Sequence, residues 1–281
     1  MKKFLRPSFL IPTMVGFTVG IFVNLVTEFV LLQGQLAIYI FLILFGVVIL
    51  AATIYWSRSH PIEPRFQAPI PIRNRLDSER HAHRGLIACV SLYTPQKESP
   101  ATKLTIPERV AAAQAGDYNK LALPQSNHAP LIKAFTSHSP KLEHCWLIST
   151  RSSDGKPEIS SQTYVLPLVN YLKEQVENKC HFYGVGNDQL VISMQDDILT
   201  AVHVQKMIQG IYIQAGKLGL SEKEIVVDIT GGFRSIPLGM ILASLDKDRA
   251  VEFVGTAYNE AGQPVGELFP ILFSFEVDLN N

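Results

Sequence analysis

Two long apolar runs open the chain. Phe9 to Leu32 and Leu36 to Trp56 carry almost no charge, and a helix needs roughly 20 residues to cross a hydrocarbon core. Gln33-Gly34-Gln35 between them is long enough only for a turn. The pattern therefore predicts an α-helical transmembrane hairpin over residues 1–56. Lys2, Lys3 and Arg6 precede it, Arg58 and Arg65 follow it, and the turn has neither Lys nor Arg. By the positive-inside rule both ends are expected in the cytoplasm, with two passes through the membrane. Gly16, Gly20, Asn24 and Glu28 recur every four residues of the first run. The two glycines permit close helix packing, and the two polar groups are costly to show to lipid. The stripe reads either as an effector face, an oligomer interface or polar conduit, or as packing within the hairpin.

Beyond Trp56 the pattern changes. Residues 57–83 mix Pro61, Pro64, Pro69 and Pro71 with Arg73, Arg75 and Arg80, the composition of an extended cytoplasmic linker. From Arg84 to Asn281, short β-branched apolar runs alternate with helical periodicities. The strand runs are Leu86–Leu92, Cys145–Ser149, His181–Val185, Ile225–Ile229, Val251–Tyr258 and Leu268–Val277. Helices are expected at His128–Ser137, Thr163–Glu177 and Asp197–Leu218, and after Ser235, with a capping-box start at Thr105-Ile106-Pro107-Glu108. Such alternation predicts an α/β fold: a Rossmann-like, mostly parallel sheet with helices on both faces.

Composition narrows the chemistry. The 281 residues hold 25 Lys plus Arg and 25 Asp plus Glu, so charge makes no case for long nucleic acid as a partner. Cys89, Cys145 and Cys180 are far apart, and the neighbours His81 and His83 have no Cys or carboxylate cluster to complete a site. Buried thiols in a reducing compartment are expected, with no metal and no cofactor.

The most informative stretch is Ile225-Val226-Val227-Asp228-Ile229-Thr230-Gly231-Gly232-Phe233-Arg234-Ser235. It reads as a buried strand, a glycine turn and a helix start, with Ser235 as N-cap. Glycines permit positive φ and a close approach to backbone. Helix-start N–H groups together with the Arg234 guanidinium form a small anion receptor, for which phosphate is the obvious ligand. Asp228 is expected to hold the turn by accepting from its N–H groups, because a carboxylate facing phosphate would repel it. In open α/β sheets ligands bind beyond the carboxyl ends of the strands at the switch in strand order. For a 3-2-1-4-5 order that brings Ser91, Leu92, Tyr93 and Thr94 to Thr230–Ser235, with Ser149 and Thr150 at the neighbouring strand end. Tyr93 is either a base-stacking platform or simply packed.

The string Asp-x-Thr-Gly-Gly-x-Arg-Ser resembles the Asp-x-Thr-Gly-Gly-x-Lys/Arg signature of CARF domains, the Rossmann-like sensors of cyclic oligoadenylate in type III CRISPR defence. The departures are Phe233, where a small or polar residue is usual, and Arg where Lys is common. The resemblance covers residues 84–281 in element order and implies the same pocket. It implies a homodimer, or higher homo-oligomer, that binds cyclic tetra-adenylate in preference to hexa-adenylate across a two-fold axis. Together with the hairpin it implies a prokaryotic inner-membrane effector that perturbs the lipid bilayer on activation. No catalytic residue is assigned. The enzymatic alternative is a ring nuclease that cleaves the ligand with help from Ser91, Ser149, Thr230 and Arg234. A dinucleotide-dependent enzyme trails, because the first strand is not followed by G-x-G-x-x-G.

Overall fold

The computed structural model describes residues 19–27, 34–59, 64–66, 69–175, 179–186, 189–193, 196–245, 249–261 and 264–277. The chain divides into two compact units, residues 1–63 with 279–281, and Pro64–Asp278.

In the first unit a helical segment at 19–27 and helix α1 (Gly34–Ser59) meet through aromatic rings. Phe22 lies 4.8 Å from Phe41 and 6.3 Å from Phe45, centroid to centroid. Val23, Leu25, Leu44 and Leu50 are exposed. Among the described residues no helix is long and apolar enough to cross a membrane. The expected hairpin and the two-pass inner-membrane location are thereby corrected. Of the four stripe residues, Gly20 and Asn24 lie on the 19–27 helix, exposed, and Gly20 has open space where a Cβ would project. Gly16 and Glu28 lie outside the described residues.

The second unit is a mixed sheet between two helical layers. Its strands are β1 (Pro64–Phe66), β2 (Ile70–Pro71), β3 (Gly85–Cys89), β4 (His144–Arg151), β5 (His181–Tyr183), β6 (Val191–Ser193), β7 (Ile225–Asp228), β8 (Ala250–Tyr258) and β9 (Pro264–Val277). The order is β1-β9-β8-β7-β3-β4-β5, with β2 on β9 and β6 on β4. Pairings among β3 to β8 are parallel. Those of β9 with β8, β1 and β2 are antiparallel. This corrects the expectation of a mostly parallel sheet. The antiparallel pairing of β8 with β9 arises because the chain returns through a short connection, which joins antiparallel neighbours. The residues read as linker supply β1 and β2, followed by α2 (Arg75–His81), which is capped by Asn74. A proline-rich segment tolerates an edge position, where a missing N–H faces away from the ladder.

Alternation along the central strands sorts the core into two clusters. Leu86, Ala88, Val90 and Val226 face one way, under α3 (Ile106–Gln114), α4 (Tyr118–Leu121), α5 (Ala129–His138) and α6 (Val165–Glu174). Ile87, Cys89, Ile225 and Val227 face the other, under α7 (Asp197–Lys217) and α8 (Ser235–Ser244). The capping box of α3 forms: Glu108 N–H donates to Thr105, and Glu108 Oε2 accepts from the Thr105 backbone at 2.7 Å. The three cysteines are free, Cys89 and Cys145 fully inside. Burial pushes the Cys89 thiol up to about 12, so it stays an inert apolar filler.

Candidate functional site

The strand order changes direction between β3 and β7, since β3 continues to β4 on one side and β7 to β8 on the other. The chain leaving β7 forms the glycine turn, and the chain leaving β3 lies against it. Ser91 Oγ accepts from Gly232 N–H at 3.1 Å. Gly232 has φ +94°, a left-handed value that a side chain rarely adopts. A Cβ there would stand 3.0 Å from Cys89 Sγ and 3.1 Å from Ile236 Cβ. At Gly231 a Cβ would run into the carbonyl oxygen of Cys89. Both glycines are therefore required by close approach to β3, and Gly232 also by its φ.

Asp228 and Thr230 brace the turn from inside. Thr230 N–H donates to Asp228 Oδ1 at 3.0 Å, and Thr230 Oγ1 donates to the same oxygen. Thr230 Oγ1 in turn accepts from Val254 N–H at 2.7 Å, which ties the turn to β8. Asp228 is fully buried, and burial pushes its carboxyl up to about 7, helped by the neighbouring Glu252 and opposed by the bonds from Thr230. Glu252 is the register partner of Asp228 on β8 and is equally buried. His138 Nε2 donates to Glu252 Oε2 at 2.8 Å, while His138 Nδ1 accepts from His83 N–H at 3.1 Å. The proton of His138 therefore sits on Nε2. Asp228 Oδ2 and Glu252 Oε1 remain buried without a hydrogen-bond partner.

Outward from this frame stand the turn's tip and the start of α8. Phe233 is half-exposed and Arg234 is exposed. Arg234, not Ser235, occupies the N-cap position and gives no side-chain cap. Ser235 is instead the first helical residue. It is buried, with its hydroxyl unpartnered. The Ile236 and Leu238 N–H groups are taken by the Phe233 and Arg234 carbonyls and Pro237 has none, so the Ser235 N–H and the positive end of the α8 dipole share this corner with exposed Arg234.

The segment after β3 is held by residues the sequence did not single out. Asn127 Oδ1 accepts from Thr94 N–H at 2.8 Å, and Asn127 Nδ2 donates to the Leu92 carbonyl at 2.7 Å. His128 Nε2 donates to the Ser91 carbonyl at 2.9 Å. His128 is completely buried, which lowers its pKa to about 4 and keeps it neutral. Ser91 is thus gripped at both its carbonyl and its hydroxyl. Nothing in the chain's periodicity marks Asn127 and His128 as its clamps, because they lie more than thirty residues away.

The remaining expected ligand residues are placed differently. Tyr93 points into the core, where its hydroxyl donates to the Leu121 carbonyl and its ring stacks on Tyr164 at 5.1 Å. It is not a base platform. Ser149 and Thr150 lie inside β4, which runs on to Arg151, and both are buried. Thr150 is engaged by Ser161 and Ser160. Ser149 N–H donates to Leu190, and its hydroxyl is unpartnered. The structure brings Ser91 to Gly231 and Gly232, in the turn that carries Thr230, Phe233, Arg234 and Ser235, while Leu92 and Thr94 are held by Asn127. Among the described residues no group of three or more His, Cys, Asp or Glu is arranged to hold a metal. No known protein family and no characterised protein matches this chain in sequence.

Proposed function

We propose that the Pro64–Asp278 unit is a binding module for a phosphorylated ligand, and that the ligand is a cyclic oligoadenylate. The observation that carries the reading is the glycine turn itself. It is pinned to β3 through Ser91 and Gly232 at the switch in strand order, with Arg234 exposed beside the first turn of α8. An exposed guanidinium at a helix start suits phosphate, which arginine binds through two parallel hydrogen bonds. The likeness of Asp228–Ser235 to the CARF signature supplies the ligand class and, with it, a place in antiviral signalling.

The module works as a two-fold dimer in this proposal, since a cyclic ligand with two-fold symmetry suits an isologous pair. Helix α8 supports that. Ile236, Met240 and Ala243 enter the core, yet Leu238, Leu242 and Leu245 remain 51%, 40% and 48% exposed. A helix apolar on all sides normally has cover on all sides. Sensing is favoured over ring cleavage, because the hydroxyls of Ser91 and Thr230 are both engaged within the frame of the turn.

The test is calorimetric titration of the full chain with cyclic tetra-adenylate, cyclic hexa-adenylate and linear tetra-adenylate, followed by chromatography of the ligand. Saturable binding of a cyclic species, recovered intact, supports the reading. Absence of binding by all three ends it.

A further inference from the structure

At the opposite, amino edge of the sheet lies a second group of cations. We propose that this edge holds a separate anion site, built for a small polyphosphate. Two adjoining clefts of about 380 Å³ and about 480 Å³ open there, and both are lined by Arg84 and Lys141. Arg80, His81 and Lys223 complete the first, and Lys179 belongs to the second. Each cleft has the size of a small-molecule site rather than of an extended groove.

The charge arrangement sets this edge apart from an ordinary solvated surface. Its two carboxylates, Glu143 and Glu224, are already taken by one arginine. Arg84 Nε and Nη2 reach Glu143 at 2.8 Å and 2.7 Å, and Arg84 Nη1 reaches Glu224 at 2.9 Å. Arg80, Lys141, Lys179 and Lys223 are exposed and make no ion pair among the described residues. Lys141 instead donates to the Arg80 carbonyl at 3.4 Å, which draws it across the mouth of the first cleft. Four like charges come together around two cavities while the local acids are engaged elsewhere. Like charges gathered in this way repel one another, and a multivalent anion relieves the repulsion. The half-buried His83 lines the same cleft, and desolvation pushes its pKa down to about 3, with the neighbouring His138 and Lys141 acting in the same direction.

The elements that build the site are rigid. The His83–Arg84 link enters β3 directly, and Arg84 N–H donates to the Glu224 carbonyl at 3.0 Å. Glu143 N–H and His144 N–H both donate to the Arg84 carbonyl, at 2.8 Å and 3.0 Å. Lys141 and Lys223 are thereby carried on backbone fixed to either side of Arg84. A ligand with three linked phosphates can meet Lys141, Lys223 and Arg80 at once, whereas a single phosphate meets one or two.

The probe is inorganic tripolyphosphate, titrated calorimetrically into the full chain at low salt, with orthophosphate as comparison. Wild type is expected to bind tripolyphosphate saturably and at least tenfold more tightly than orthophosphate. Lys141→Gln with Lys223→Gln is expected to weaken tripolyphosphate binding at least tenfold, and Arg234→Ala to leave it unchanged. Both lysines are exposed, so the double variant should melt as wild type. The single charge reversal Lys223→Glu provides a second reading of the same site. No binding by wild type overturns the proposal. So does unchanged affinity in the lysine variants, or loss on Arg234→Ala, which would place the probe at the glycine turn. The site does not depend on cyclic oligoadenylate binding, and either can fail alone.

Discussion

Ser91 and Gly232 are 141 positions apart in sequence, and the hydroxyl of one accepts the backbone N–H of the other at 3.1 Å. That bond fastens the exit of β3 to the turn after β7. Gly232 can sit so close only because it lacks a Cβ. Ser91 is held facing it by His128 at its own carbonyl and by Asn127 at the Leu92 carbonyl that follows. The turn is therefore a fixed receptor whose geometry exists before any ligand arrives, which reduces the ordering cost of binding.

Arg234→Ala should weaken cyclic oligoadenylate binding without unfolding the protein. The side chain is exposed and gives α8 no cap. Charge-assisted hydrogen bonds contribute about 1.5–3 kcal/mol, so affinity should fall roughly 10- to 150-fold. Calorimetry beside a thermal melt checks both halves. An unchanged dissociation constant would remove this arginine from the site.

Gly232→Val should be worse, because it costs stability as well as binding. The φ of +94° and the short approaches to Cys89 and Ile236 leave no room for a branched Cβ. Left-handed backbone at such a residue costs about 1–3 kcal/mol before any clash is counted. Denaturant midpoints should drop and binding should be lost. A valine protein with wild-type melting and wild-type affinity would show that the turn is neither strained nor facing the ligand.

Asp228 makes stability depend on pH. Its folded pKa of about 7 lies above the ordinary 3.8, so the folded state holds the proton more tightly than the unfolded chain. The resulting stabilisation is complete below about 4 and is lost as pH rises through about 7. Asp228→Asn keeps an oxygen for Thr230 without the charge. It should stabilise the protein at pH 8 by about 1–3 kcal/mol, with the gap closing toward pH 5. Urea unfolding at both pH values measures this, and a gap that widens toward pH 5 contradicts the burial argument.

Leu242→Arg tests the outer face of α8. The side chain is 40% exposed and lies outside the core clusters, so the subunit should still fold. A charge in the middle of the apolar stripe should split a dimer, halving the mass seen by light scattering. It should also weaken binding of a cyclic ligand that spans both copies. A wild type that is monomeric with and without ligand would reject the dimer, whatever the variant does.

Local chemistry alone determined several features of this protein. The buried strand Ile225–Asp228, the glycine turn after it and the capping box at Thr105 are readable because each rests on residues within a few positions of one another. The bracing role of Asp228 is readable for the same reason, since its partner is Thr230. Burial, edge and face were decided by the tertiary structure. Residues 64–66 and 70–71 read as linker because proline denies a packed core, yet they pair with β9, a strand some two hundred residues later. The sheet became mixed because β9 folds back beside β8. Tyr93 turned inward because Tyr164 and the Leu121 carbonyl wait there. Ser149 and Thr150 were enclosed because β4 runs on past them and is covered by the Ser160–Ser161 segment. The apolar runs at the start of the chain suggested a membrane span by composition, whereas among the described residues no helix is long and apolar enough to cross a membrane. Periodicity reports what one element would bury, and only the packed chain decides which partner, if any, arrives to bury it.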